Sequence, residues 1–218
     1  MIKLIIFDLW QTLAYRDVEK GSTTQMLEQT WSSLPKKDFV KIFENSVQTQ
    51  KRSNKYEAYE NLCKNMGLQT TKDNIDLLMN IRDYAESKAK EYPHTIWMLS
   101  QLKKLWYKIW LLSNSSIFAI EILKEKTKIL DYIDYPLFSF EVGTIKPDLA
   151  FFEKMLEITG YKPEEAIMVW DKLDDDVIPP RELGMNAILF ENYEQLKSDF
   201  ASFWIVLEKL ISKFMQMR

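Results

Sequence analysis

The chain has little of what staples, ligates or turns a polypeptide. Its 218 residues include one cysteine, one histidine and five glycines. The lone cysteine, Cys63, excludes an intramolecular disulfide, and in a stretch of helical periodicity it reads as a buried, inert thiol. The lone histidine, His94, follows Pro93 at a junction between segments and reads as a surface or hinge residue. With no second histidine to serve as base, a Ser-His-Asp hydrolase is excluded in practice. No uninterrupted apolar run approaches a membrane span. The N-terminus enters an apolar run at once, without the basic start and long apolar core of a signal peptide. A cytoplasmic protein with no membrane partner is therefore expected. The net charge of −3 gives no reason to expect nucleic acid. Oligomeric state leaves no readable trace. The glycine shortage is the oddest of these deficits. Average usage of roughly 7% would supply about 15, whereas the chain carries 5 beside 7 tryptophans.

What is present is ordinary for a globular protein: 46% hydrophobic and 28% charged residues. The length accommodates a core domain plus an inserted module. Residues 2–8 read as a strand. Residues 15–92 change texture to polar sequence with apolar residues at helical spacing: Met26, Leu27, Trp31 and Leu34; Phe39, Val40, Phe43 and Val47; Tyr56, Tyr59, Leu62 and Met66; Ile75, Leu78, Met79 and Ile81. Helix starts are expected at Ser22 or Thr23, Lys36, Asn54 and Thr71, with a stop at Gly67. From Pro93 onward helical and strand patterns alternate. Strands are expected at Lys108–Leu112, Leu137–Phe140, Ala166–Trp170 and Ala187–Phe190, and a final helix over Glu194–Met217. Strict alternation predicts a doubly wound, Rossmann-like α/β core with a parallel sheet covered on both faces. The division is a core of residues 1–14 and 93–218 with an α-helical cap of residues 15–92.

Four scattered segments carry the chemistry. They are Leu4-Ile5-Ile6-Phe7-Asp8 running on to Thr12, Leu111-Leu112-Ser113-Asn114, Gly143-Thr144-Ile145-Lys146-Pro147-Asp148, and Met168-Val169-Trp170-Asp171 running on to Asp174, Asp175 and Asp176. Three are apolar runs closed by a polar residue, the pattern of a buried parallel strand delivering a side chain at its C-terminal end. A lysine held extended before proline could neutralise developing negative charge. Crowded carboxylates call for a cation, and hard oxygen donors suit Mg²⁺. Lys36, Lys37, Lys41, Lys51, Arg52 and Lys55 give the insert a basic bias, either a solvated helix face or an attraction for an anionic small-molecule substrate.

In this order the four segments resemble the motifs of the haloacid dehalogenase superfamily of aspartate-nucleophile hydrolases, in its branch with a helical cap between the first and second motifs. The resemblance implies Asp8 as nucleophile, with Thr12 bracing the turn through its hydroxyl. It implies Ser113 bound to the transferring group with Asn114 beside it, and Lys146 as the neutralising cation. The metal would be held by Asp8, the backbone carbonyl of Trp10 and Asp171, with Asp176 as the second acid of the last motif. The implied activity is a Mg²⁺-dependent phosphatase of a small metabolite acting through an aspartyl-phosphate intermediate.

The resemblance fails at Trp10, where the family's phosphatases carry a second aspartate that protonates the leaving group. Loss of such an acid costs roughly 10²–10⁴ in rate. The superfamily's dehalogenases lack both that aspartate and the metal, so a metal-independent 2-haloacid dehalogenase is the alternative, and a non-catalytic binding or scaffold protein another. Trp106, Trp110 and Trp170 also stand where family members have glycine. A reassigned stop codon, meaning glycine but written as tryptophan, would account for some of these.

Overall fold

The computed structural model describes residues 1–51, 54–171 and 178–207. The expected acids Asp174, Asp175 and Asp176, Arg52, and residues 208–217 of the last expected helix lie outside them.

The chain begins with β1 (Leu4–Phe7), whose four residues are buried on both faces. A short ribbon follows, β2 (Ala14–Arg16) and β3 (Ala89–Glu91), paired antiparallel with Arg16 opposite Ala89. Three-residue strands fall below the window in which alternation is readable, and this ribbon was not expected from the sequence. Between its strands lie α1 (Ser22–Gln29), α2 (Lys36–Phe43), α3 (Lys55–Asn65) and α4 (Lys72–Ser87). Asn54 and Thr71 cap α3 and α4, accepting from the backbone N–H of Tyr56 and Asn74. Past α2 the chain loosens into a π-helical turn over Glu44–Gln48, which keeps Val47 buried. Met26, Phe39, Phe43, Tyr59, Leu62, Ile75 and Leu78 form a core of this segment's own.

The second half builds the rest of the sheet: α5 (Thr95–Lys104), β4 (Lys108–Ser113), α6 (Ile117–Lys126), β5 (Tyr135–Phe138), α7 (Ser139–Val142), α8 (Leu149–Thr159), β6 (Ala166–Trp170), α9 (Ile178–Glu182), β7 (Asn186–Leu189) and α10 (Tyr193–Ser202). The fifth strand starts and ends two residues earlier than the pattern 137–140 implied. Tyr135 pairs with Trp110 in the ladder and stacks on its ring at 4.5 Å, while Ser139 opens a helical turn. The strand order is β5-β4-β1-β6-β7, with every pairing parallel. The chain thus winds outward from β1 on one side, then crosses back and winds outward on the other. The crevice above the C-terminal end of β1 is where such sheets take ligands. Phe7 is level with Leu111 and Val169, so the residues just beyond them reach one edge together.

Tryptophan is distributed unevenly over backbone types. Trp31, Trp106 and Trp204 are left-handed, with φ of 52°, 64° and 64°, and each side chain is more than nine-tenths exposed. Trp110 and Trp170 are buried strand residues, where an extended backbone accepts any side chain.

Candidate active site

Asp8 leaves β1 through a backbone bond from its N–H to the carbonyl of Val169. Its carboxylate receives Lys146 Nζ at 2.5 Å, a pair with side chains only 9% and 2% exposed. A buried charge is tolerated when it is paired and hydrogen-bonded. Asn114 sets the lysine in place. Its Oδ1 accepts the Lys146 N–H at 2.8 Å and its Nδ2 donates to the Lys146 carbonyl at 3.0 Å. The Asn114 amide is therefore committed to the backbone of Lys146, and it also donates to Glu44 Oε1 at 3.3 Å. Asp148 caps α8 through the Ala150 N–H and ends the lysine's loop. Over the ammonium lies the face of Trp170, with its centroid 3.4 Å from Nζ, a cation–π contact.

One expected hydroxyl role is not what the structure shows. Thr12 is buried, and among the described residues its Oγ1 finds no hydrogen-bond partner, so it does not brace the turn. The turn is held instead by backbone bonds from Leu13 and Ala14 to the carbonyl of Leu9. Ser113 is fully buried and shares a 2.9 Å hydroxyl contact with Ser115. Ser115 Oγ in turn accepts Trp10 Nε1 at 3.0 Å. The serine at the end of β4 thus belongs to a chain that fixes the Trp10 indole. Ser116 caps α6, accepting from the Ala119 N–H.

Asp8, Lys146, Asn114, Trp10, Trp170 and Asp171 line one cleft of about 1210 Å³ between the sheet edge and the helices of residues 22–87. From the helical side it receives Lys36, Lys37 and Lys41 of α2 and Arg82 of α4, and from β2 it receives Arg16. Arg16 and Arg82 were not among the candidates. The only trace of them in the sequence was an Arg82–Glu86 pair four residues apart, which α4 closes at 2.6 Å. Glu86 also takes Arg16 in a fork, Nε to Oε2 and Nη2 to Oε1, both at 3.0 Å. The Arg16 guanidinium lies 3.4 Å over the Trp10 ring. Burial, with Arg82 beside it, pulls the Arg16 pKa down to about 10. Burial also pushes the Glu86 carboxyl up, but Arg82 and Arg16 outweigh it and hold the group below its usual range.

Among the described residues no group of three or more acidic, histidine or cysteine side chains gathers into a metal site. The donor chemistry nonetheless suits Mg²⁺, which takes one or two protein carboxylates and completes its shell with water and phosphate. Asp8 and Asp171 both line the cleft, just past the ends of neighbouring strands. His94 stands apart. It precedes α5, half-buried and stacked between Tyr92 and Tyr193, with its pKa lowered by burial.

The haloacid dehalogenase-like hydrolase family matches residues 5–190, spanning both the sheet and the helical segment. The chain belongs to that family. As a haloacid dehalogenase-like hydrolase it is 27% identical over 211 residues to a glyceraldehyde 3-phosphate phosphatase of Methanocaldococcus jannaschii, covering 91% of this chain and 90% of the relative. A glyceraldehyde 3-phosphate phosphatase of Methanothermobacter thermautotrophicus is 25% identical over 195 residues, with 87% and 85% covered. Among solved structures, a family enzyme of Bacteroides thetaiotaomicron in complex with magnesium and inorganic phosphate superposes with a TM-score of 0.66 at 20% identity, over 90% of this chain and 99% of that one. No helix among the described residues is long and apolar enough to cross a membrane.

Proposed function

We propose that this hydrolase is a phosphomonoesterase that forms an aspartyl-phosphate on Asp8, with residues 15–92 acting as the cap over the site. The observation that carries the reading is the buried Asp8–Lys146 pair at the floor of a cleft lined by five further cations. A carboxylate beside an ammonium, opening on a basic cleft, suits attack on an anionic phosphorus centre.

An Asp8 oxygen attacks phosphorus, the bond to the leaving-group oxygen breaks, and Lys146 offsets the charge on the phosphoryl oxygens. Water then attacks the same phosphorus, releasing phosphate and restoring the carboxylate. Mg²⁺, held by Asp8, Asp171 and the Trp10 carbonyl, would supply neutralisation of phosphate charge. Trp10 has no proton to give the leaving group, because its N–H is committed to Ser115. The enzyme therefore works best on esters whose leaving groups depart as stable anions. The supporting likeness to two archaeal phosphatases extends over most of each chain.

A generic aryl-phosphate assay with and without Mg²⁺ tests this. Turnover that needs the metal supports the reading, and none under either condition ends it. Trp10 also favours a second reading, the metal-independent 2-haloacid dehalogenase, since that chemistry needs no acid at this position. Halide release from a 2-haloacid without metal would select it.

A further inference from the structure

We propose that Arg16 and Arg82 form a second anion subsite in the cleft, so that the substrate is a small phosphomonoester carrying a second anionic group, a carboxylate or a phosphate, away from the reacting phosphoryl. This rests on the phosphatase reading and names its substrate class.

The charge balance is the first support. The two guanidiniums share one carboxylate, Glu86, whose side chain is 3% exposed against 14% and 12% for Arg16 and Arg82. Buried charges are normally paired, and a structural cross-link between β2 and α4 needs only one arginine. Among the described residues the second arginine has no further carboxylate bonded to it, at a place that opens on the cleft.

The second support is rigidity. Arg16 is forked onto Glu86 and stacked on Trp10, while Arg82 donates to Ser22 Oγ at 3.1 Å and lies 4.9 Å from the Phe43 ring. Guanidiniums held this way lose little freedom on binding and match the planar edge of a carboxylate or two oxygens of a phosphate. The third is position. Arg16 stacks on Trp10, two residues past Asp8 in the chain, and all three line the same cleft with Arg82. Lys36 and Lys41 extend the positive field along the rim. Asp38 and Glu44 also line the cleft, and Glu44 accepts from Asn114.

The test compares kcat/KM on three phosphomonoesters of one chain length, ending in a carboxylate, a phosphate or a hydroxyl, for wild type, Arg82→Gln and Arg82→Lys. The expected result is a preference for an anionic end that Arg82→Gln reduces by about 10- to 100-fold, mainly through KM, and that Arg82→Lys partly restores. The better of the two anionic ends identifies the group. Equal kcat/KM on charged and neutral ends, or a preference untouched by Arg82→Gln, overturns the subsite while leaving the phosphatase reading intact. If no phosphate ester turns over, the phosphatase reading has failed. Calorimetric titration with 3-phosphonopropionate against propylphosphonate then decides the subsite alone: tighter binding of the former that Arg82→Gln abolishes supports it, and equal binding or none overturns it.

Trp31, Trp106 and Trp204 stand where the same chain elsewhere uses glycine. After α3, Gly67 donates to the Lys64 carbonyl and Leu68 to that of Cys63. After α9, Gly184 donates to Arg181 and Met185 to Pro180. This paired bonding, with a left-handed residue at its centre, is the Schellman helix stop that glycine suits. The same bonds recur at Trp31 with Ser32, at Trp106 with Tyr107 and at Trp204 with Ile205. A left-handed residue with a Cβ costs roughly 1–2 kcal/mol, and these indoles recover nothing by packing. We infer that positions 31, 106 and 204 are glycine in the protein as its cell makes it, their codons being read there as glycine. Peptide masses of the protein from its native cells, read beside the gene's codons, test this. Glycine masses are expected, and tryptophan at these positions or ordinary tryptophan codons overturns it. The same spectra read Trp10, Trp110 and Trp170, where φ is not left-handed and the backbone makes no such demand.

Discussion

Two charged clusters meet in the cleft, and they are built differently. At the sheet edge, one aspartate faces one lysine, charge-matched, nearly sealed, and held by backbone bonds from Asn114. On the opposite wall, among the described residues, two arginines face one glutamate, and both cations line open space. A matched, sealed pair is suited to chemistry, because its charges are already compensated and poised. An unmatched one is suited to recognition, because a ligand supplies the missing charge.

The sharpest way to break this contrast is Asp8→Asn. The amide still accepts a hydrogen bond from Lys146, so the fold should survive by circular dichroism, while turnover should fall by roughly 10⁴–10⁶-fold, as for loss of a nucleophile. Activity near wild type would remove the sheet edge from the chemistry. Glu86→Gln attacks the other cluster. It leaves two buried guanidiniums without a counter-charge and should cost about 3–5 kcal/mol in a denaturant melt, as when a buried ion pair loses one partner. Because Glu86 titrates below its unfolded value near ~4.3, its stabilisation is complete above that pH and is lost as pH falls through the lower, folded value. The Glu86→Gln variant should lack that part of the acid limb of the stability profile. A wild-type melt would show that the cluster does not hold β2 against α4.

Trp10 lies between the clusters, and Trp10→Asp probes their coupling. A carboxylate there would supply the absent acid. Arg16, now over the indole, would hold it ionised, so the gain on alkyl phosphates should be about tenfold rather than the 10²–10⁴ of a well-tuned acid. Aryl phosphates should gain less. Equal response of both ester classes would show that leaving-group protonation is not what limits the site. The smallest effect is expected away from the cleft. Trp106→Gly relieves left-handed strain of roughly 1–2 kcal/mol and gives back about 0.5–1 kcal/mol in chain entropy. The net gain is about 0–1.5 kcal/mol, seen as a rise of at most a few degrees in Tm. A loss of stability would show that the exposed indole packs in a way its 91% exposure denies.

The α/β core and the sheet edge were legible in the sequence because each relevant strand is a short apolar run closed by a polar residue. Asp8, Ser113 and Asp171 could be placed at one sheet edge before any coordinate. Caps were equally plain at Asn54 and Thr71, since a capping side chain bonds within its own few residues. The three-residue ribbon of β2 and β3 was hidden, being too short to show a period. The hydroxyl of Thr12 was assigned a duty it does not hold, because a residue's type tells what it can bond and not what lies beside it.

The sequence by itself determined which strands end at the crevice, because strand and helix periods are local and set by backbone geometry. Tertiary structure alone decided that Asn114 clasps Lys146 from 32 residues away, that Ser115 anchors Trp10 across 105, and that Glu86 gathers Arg16 from 70 residues upstream. Such pairings follow from which elements pack together, and periodicity reports which face of an element is apolar without naming the polar partner it will meet.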